Sequence, residues 1–572
     1  MTDHSFAKGL FHGVIPEDMV FPYPELSQAD REAIPILLES VRRFLADKVD
    51  SKAIDKDAKI PVSVLAELKA LGLFGMIIPE AYGGAGLSAT AYCRVMQEIA
   101  AEDGSLAVTL GAHQSIGLKG IILFGTEAQK QRYLPKLATG ELVAAFALTE
   151  PSAGSDAAGI KTTATLAPDG SHYVLNGSKI WITNGGFADV FTVFARTSEA
   201  EAGKPRITAF IVERGMGVRT GPEEHKLGIR GSSTTEVYFE DVKVPAANVL
   251  GEAGRGFKVA MEVLNSGRLS LAAGALGVSK RLVGMAVERC NERKAFGKSI
   301  GEFSLIQEKI GRMMMETYAL ESMVYLTTGL IDRGVGDYSV ESAICKVYGS
   351  ETLWRIVNEA LQIAAGIGYM QEYPYERLLR DSRINLIFEG TNESLRCFIA
   401  LSGVSGPGAK LAEVAKAIRE PIKGFGLLSD FAIQRVRTTL GRERLTRAHG
   451  ALNREAVVFE TFVGELAKNT DKMLRKHGRD IAQMQLAQRR LADMVMDLYA
   501  VVAVLSRTTR AIERRGEEGA RREIEMCMAF CGRAEHRMKR QMREFDANDD
   551  DVIKAVAQEA YKDVDGYPWD VV

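Results

Sequence analysis

Along residues 28–140 apolar side chains recur every three or four positions. In "REAIPILLESVRRFLADKV" Ile34, Leu37, Leu38, Val41 and Leu45 fall on one face, and "PVSVLAELKALGLFGMIIP" repeats the pattern. That period predicts a run of amphipathic helices. Between Ala144 and Val249 the texture changes. "HYVLNGSKIWITNGGFADVFTVFART", "ITAFIVERG" and "TTEVYFEDVKVP" are β-branched and aromatic, with Asn-Gly and Gly-Gly turns between them. This is strand chemistry, and it predicts a small antiparallel barrel or sandwich. From Gly256 to Ser402 helical spacing returns, and "SGVSGPGAK" (402–410) then reads as a linker. In the last segment, Leu491, Val495, Leu498, Val502 and Leu505 step by fours and threes along one seam, suited to packing on the main body or on another subunit. The expected architecture is mainly α with a central β domain. It comprises an N-terminal helical domain (1–143), a middle β domain (144–252), a C-terminal helical bundle (253–402) and a helical appendix (403–572).

Composition narrows the function. At 572 residues the chain exceeds what one core usually serves. Its 46% hydrophobic and 26% charged residues are ordinary for a globular protein, and a net charge of −2 gives no electrostatic case for nucleic acid. The six cysteines form no CxxC pair and the eight histidines no HExxH, so no metal site is expected. The opening segment carries Asp3 and Glu17 and reads as neither signal nor transit peptide; a cytoplasmic location is the expectation. The apolar stretch Met494–Leu505 contains Asp497 and is too short to span a bilayer. "GEAGRGF" (251–257) has glycines at the wrong spacing for a dinucleotide loop and reads as a turn before a helix, and "GGAG" (83–86) reads as a loop.

Four stretches carry candidate chemistry. "FALTEPSAGSD" (146–156) offers hydroxyls and backbone amides to a planar polar ligand or a phosphate. "WITNGG" (181–186) sets an aromatic and a hydroxyl before a tight turn. "NSGRLSLAAGALG" (265–277) brings an arginine into a small-residue helix face. "FEGTNE" (388–393) places Glu389 at the end of an apolar run, where desolvation penalises its charge. Singly each has a plain reading: a core tryptophan, a solvated arginine, a carboxylate at a loop mouth.

In order and spacing, however, these stretches resemble the acyl-CoA dehydrogenase family along residues 1–402. "SFAKGLFHG", "VTLGAHQSIGLKGIILFGT", "LNSGR" and "RRLADMVMDLYAVVAVLSR" are most similar to its very-long-chain subgroup, which includes the related member nine. The resemblance implies FAD held without a Rossmann fold. Phe146, Leu148, Thr149 and Ser155 match the flavin-contacting stretch, with Ser155 also near substrate, and Trp181 and Thr183 match the pair beside the flavin ring. Arg293 and Phe296, in "ERKAFGKSI", match a turn reaching the FAD of a neighbouring subunit. Gln362 and Gly366 match further contacts across subunits, where Ala365 replaces a frequent glycine. Thr391 and Glu393 match positions touching the pyrophosphate and adenine side. Asn265 and Arg268, with Phe388 and Gly390, match the substrate side. Glu389 matches the catalytic base. The activity implied is α,β-dehydrogenation of long-chain acyl-CoA. Its thioester oxygen would be held by the Glu389 amide and a ribityl hydroxyl, and electrons would pass to an electron-transfer flavoprotein. An acyl-CoA oxidase on the same fold, or a respiratory-complex assembly factor of the same family, stands as the alternative.

A homodimer is also implied. Residues 422–447 read as a basic amphipathic helix, with Leu427, Leu428, Phe431, Ala432, Val436 and Leu440 on its apolar stripe. It is suited to peripheral contact with the inner face of a membrane.

Overall fold

The computed structural model describes residues 5–197, 206–419, 443–562 and 567. Residues 22–395 form one compact unit, and residues 6–21 join residues 396 onward in a second. The short helices α1 (Phe6–Leu10) and α2 (Glu17–Val20) therefore depart from the N-terminal domain expected over 1–143. Burial explains the change. Phe6, Phe11 and Phe21 are removed from solvent, Phe6 lies 6.2 Å from the Tyr499 ring, and the Ser506 hydroxyl donates to Val20 O.

In the first unit the predicted helices form, and several of them start at a short polar capping side chain. They are α3 (Gln28–Lys48), α4 (Ser51–Asp57), α5 (Val62–Ala70), α6 (Ala89–Glu102), α7 (Gly104–Gly111), α8 (Lys119–Phe124) and α9 (Glu127–Thr139). Ser27 caps α3, Asp103 caps α7, and Thr126 with Gln129 makes a capping box on α9. Between α7 and α8 the chain takes one π-helical turn, Ala112–Leu118.

The β segment is one sheet rather than a purely antiparallel barrel. Its strands are β1 (Ala144–Ala147), β2 (Thr163–Leu166), β3 (His172–Thr183), β4 (Val190–Thr197), β5 (Arg206–Glu213), β6 (Arg219–Glu223), β7 (Thr234–Pro245) and β8 (Val249–Leu250). Their order is β6-β7-β3-β2-β4-β5-β8, with β1 beside β4. The β1–β4 and β2–β4 pairings are parallel, which corrects the antiparallel expectation. The cause is that β1 and β2 both return to β4 after loops rather than tight hairpin turns. Alternation along β4 explains its position. Val190 and Phe194 face a core shared with α8, α9 and the following long helix, whereas Phe191, Val193 and Ala195 face the sheet's own core.

Helices α10 (Gly256–Glu292), α11 (Ser304–Asp332), α12 (Ser339–Ala364) and α13 (Tyr375–Arg383) complete the unit. Then α14 (Asn392–Arg419) runs straight through residues 402–410, so the expected linker is helical. Packing overrides the weak propensity there: a Cβ at Gly403 would lie 2.3 Å from the Phe11 ring, so only glycine admits that ring.

In the second unit the helix Gln485–Gly519 packs with Asn453–His477, Arg521–Glu544, α1 and α2. Apart from Asp493, residues 491–505 are buried on every side, not along one seam, and Asp497 is paired with Arg537 at 2.6 Å. Of the basic stretch 422–447, residues 422–442 lie outside the described residues. At its end Arg447 pairs with Asp18 and donates to Phe21 O at 3.0 Å.

Candidate active site

Two helix faces of small residues line an open-mouthed cavity inside the first unit. Gly104, Ala107, Val108, Gly111 and Ala112 repeat by threes and fours along α7 and into the π turn. On α10 Gly267, Ser270, Leu271, Gly274, Ala275 and Val278 do the same. From Gly267 to Val278 the cavity follows α10 for about 16 Å at the helical rise. Ile229, Leu353, Leu378 and Asp381 also line it, and so do Thr183, Phe388 and Glu389. Its length and apolar walls suit an extended hydrocarbon.

Local structure holds this space open. His113, in the π turn, accepts from Ala144 N at 2.9 Å through Nδ1 and donates to Leu137 O at 3.1 Å through Nε2. Burial pushes its imidazole down to about 4, so it stays neutral and serves both bonds. Asn184 donates to Thr109 O at 3.0 Å and Ala144 O at 3.4 Å, tying the end of β3 to α7 and β1. This brings Thr183 to the cavity.

Glu389 follows the last turn after α13, at φ 60°, with Gly390 next at φ 95°. A non-glycine residue in that region is held there by its surroundings. The side chain lines the cavity and so keeps some accessibility, while its Oε2 is wholly covered and without a hydrogen-bond partner among the described residues. Burial pushes the carboxyl up to about 7, against the opposing charges of Arg268 and Lys346. Arg268 meets the Glu389 backbone: its Nε donates to Glu389 O at 3.2 Å and its Nη1 to Asn265 Oδ1 at 3.1 Å. Gly267 is required by contact, since a Cβ there would lie 2.6 Å from Glu389 Oε2 and 2.8 Å from Ile116.

Leu148 and Thr149 lie against β3, where Ile180 N donates to Thr149 O at 3.0 Å. The fully buried Lys179 fixes this contact, donating to Leu148 O at 3.1 Å, Phe194 O at 2.7 Å and Glu150 Oε1 at 2.8 Å. A register shift between Lys179 and Ile182 then turns Trp181 outward, at φ 58° and 61% exposed. An exposed indole, with Thr183 two residues on and Thr149 bonded to the neighbouring Ile180, is a surface that fits a planar heterocycle with polar edges, as a flavin is. Phe146 is half-buried against Phe194, 5.0 Å between rings, and Ser155 is exposed in the loop after β1, away from the cavity lining.

Glu389, Phe388 and Thr183 thus share the cavity, with Asn265 and Arg268 behind the carboxylate. Gly390 and Thr391 continue the turn, and Glu393 points to solvent. Arg293, Phe296, Gln362 and Gly366 do not join them. They are exposed in the turn after α10 and at the end of α12, Phe296 at 95%. Sequence reasoning missed Lys346 and Ile229; it marked the small-residue face of 265–277 but gave it no place in a cavity wall. A lysine inside the apolar run "AICKVYG" was the available signal for the first.

Residues 32–141, 145–242 and 254–403 match the N-terminal, middle and C-terminal domain models of the acyl-CoA dehydrogenases, and residues 450–565 match the ACAD9/ACADV C-terminal domain model. The mitochondrial very long-chain specific acyl-CoA dehydrogenase of Homo sapiens is 44% identical over 94% of this chain and 84% of its own length. An acyl-CoA dehydrogenase from Bacillus anthracis, solved with FAD, superposes with a TM-score of 0.80. It is 34% identical, and the match covers 98% of this chain and 96% of that one. The butyryl-CoA dehydrogenase of Megasphaera elsdenii gives a TM-score of 0.62 and 40% identity, covering 66% of this chain and 98% of its own.

Proposed function

Because this chain belongs to the acyl-CoA dehydrogenase family, we propose that Glu389 is its catalytic base and that its substrates are long-chain acyl-CoA thioesters. It is an FAD-dependent acyl-CoA dehydrogenase acting in fatty acid oxidation. Phe146, Leu148, Thr149, Trp181 and Thr183 would hold the flavin, and two-electron acceptance from the substrate β-carbon is the chemistry FAD supplies when bound.

The single observation that carries the reading is a largely covered carboxylate at the wall of an apolar cavity, with no hydrogen-bond partner on its Oε2 among the described residues. An acyl chain lying along α10 sets the α-carbon of its thioester against Glu389. The raised carboxyl is a stronger base than a solvated one, and the fraction able to accept a proton grows as pH rises through about 7. The backbone N–H of Glu389 donates to the thioester oxygen as negative charge gathers on it, a contact of a kind worth about 3–4 kcal/mol. Arg268 holds Glu389 from behind through its carbonyl.

Chain length follows from the walls. About 16 Å along α10 compares with one leaflet of a bilayer's hydrocarbon core, itself about 30 Å across both leaflets. Each methylene buried there contributes about 0.8 kcal/mol to binding. Electrons leave to an electron-transfer flavoprotein in this reading.

Replacing Glu389 by Gln tests the assignment. The variant retains FAD and binds acyl-CoA, and its turnover falls by several orders of magnitude. Near-normal turnover by folded, flavin-loaded Glu389→Gln removes Glu389 as the base.

A further inference from the structure

Behind the Glu389 turn, on the side away from the cavity, lies a lysine that the chemistry above does not use. Lys346, in the middle of α12, is fully buried. Its Nζ donates to Gly390 O and to Asn392 Oδ1, each at 2.8 Å. Asn392 in turn donates to Ser350 Oγ at 3.0 Å and to Glu351 Oε1 at 3.2 Å. One ammonium therefore clamps the first and third residues after Glu389, beside a turn in which Glu389 and Gly390 have φ values of 60° and 95°, both positive. Backbone of that kind persists only where neighbours over-determine it. Lys346 also lies within the electrostatic reach of the carboxylate it positions. Burial pushes its own ammonium down to about 7, which Arg268 reinforces and which Glu389, Glu351 and Glu393 oppose.

We propose that Lys346 is a positioning residue for proton abstraction: it pins the turn that carries Glu389, and its charge sets the pH at which that carboxylate becomes a base. The proposal rests on Glu389 being the base. The charges facing the pair are Arg268 from α10, Lys346 and Glu351 from α12, and Glu393 from the start of α14. Each cation favours the ionised carboxylate, so removing Lys346 moves ionisation of Glu389 to higher pH.

Holoenzyme variants separate this from a merely structural role. Flavin content, Tm, KM, and the pH dependence of single-turnover flavin reduction by a saturated acyl-CoA are measured for Lys346→Gln, Lys346→Met and Lys346→Arg. Both uncharged variants shift the acid limb of the reduction rate upward by about one pH unit, with KM little changed. Lys346→Arg keeps the limb near its wild-type position while lowering the plateau, because a guanidinium cannot make the same two bonds. If Lys346→Met does not fold, Lys346→Gln and Lys346→Arg decide. An unmoved limb in flavin-loaded Lys346→Gln overturns the proposal, and so does an equal displacement in Lys346→Arg. A Glu389→Gln enzyme that still turns over fails the base assignment itself, a separate result.

Discussion

Side chains that leave ordinary backbone geometry gather where this protein does chemistry. Among the described residues, eight non-glycine residues have positive φ; Trp181, Ile229 and Glu389 lie around the cavity and the flavin surface, and Phe296 and Ala365 at the exposed turns. Ala365 has φ 58° and ψ −135°, a combination natural to glycine. Strain of this kind costs about 1–3 kcal/mol, whereas glycine costs extra chain entropy of about 0.5–1 kcal/mol. Ala365→Gly should therefore stabilise the protein by about 1 kcal/mol, read as a higher midpoint in urea unfolding of the holoenzyme. A lower midpoint would mean that the alanine methyl makes a contact worth more than the strain. At this scale the sequence marks Glu389 well, because a carboxylate ending an apolar run is anomalous wherever it sits. Lys346 and Gly267 are less visible, since their roles depend on α10 and α12 crossing the turn from far away in sequence.

Helix faces determine what the cavity accepts. The small residues of α7, among them Ala107 and Gly111, stand in the sequence, but alone they would equally suit two helices in contact. What the sequence could not convey is that the matching stripe on α10 stands opposite, leaving space rather than closing it. Likewise the glycines at 402–410 suggested a break, and Phe11 closing on Gly403 makes them a helix instead. Gly111 is the sharpest handle. A Cβ there meets nothing closer than Ser115 Oγ at 3.8 Å, so a larger side chain enters empty cavity and also improves helix propensity. Gly111→Leu should fold, keep its flavin and move the preferred acyl chain shorter. Each methylene denied the wall costs about 0.8 kcal/mol, about fourfold in affinity. An unchanged chain-length profile in that variant would place the acyl chain elsewhere.

At the scale of the molecule, every residue lining the cavity falls within residues 22–395. The chemistry thus resides in the first unit, and the helices after residue 396 add a second core built around the stretch 491–505, buried except at Asp493. The exposed Arg293, Phe296, Gln362 and Gly366 are unexplained by a single chain. We propose that a second copy covers them, so light scattering should return a homodimer, and a monomer that retains full flavin would contradict this. The central claim, a base at the wall of a long apolar cavity, is tested most directly by anaerobic titration of the yellow holoenzyme with saturated acyl-CoAs of graded length, following loss of flavin absorbance. The account predicts the tightest and fullest bleaching for long chains, with weak bleaching by butyryl-CoA. Tightest bleaching by butyryl- or hexanoyl-CoA, or none by any acyl-CoA, would contradict it.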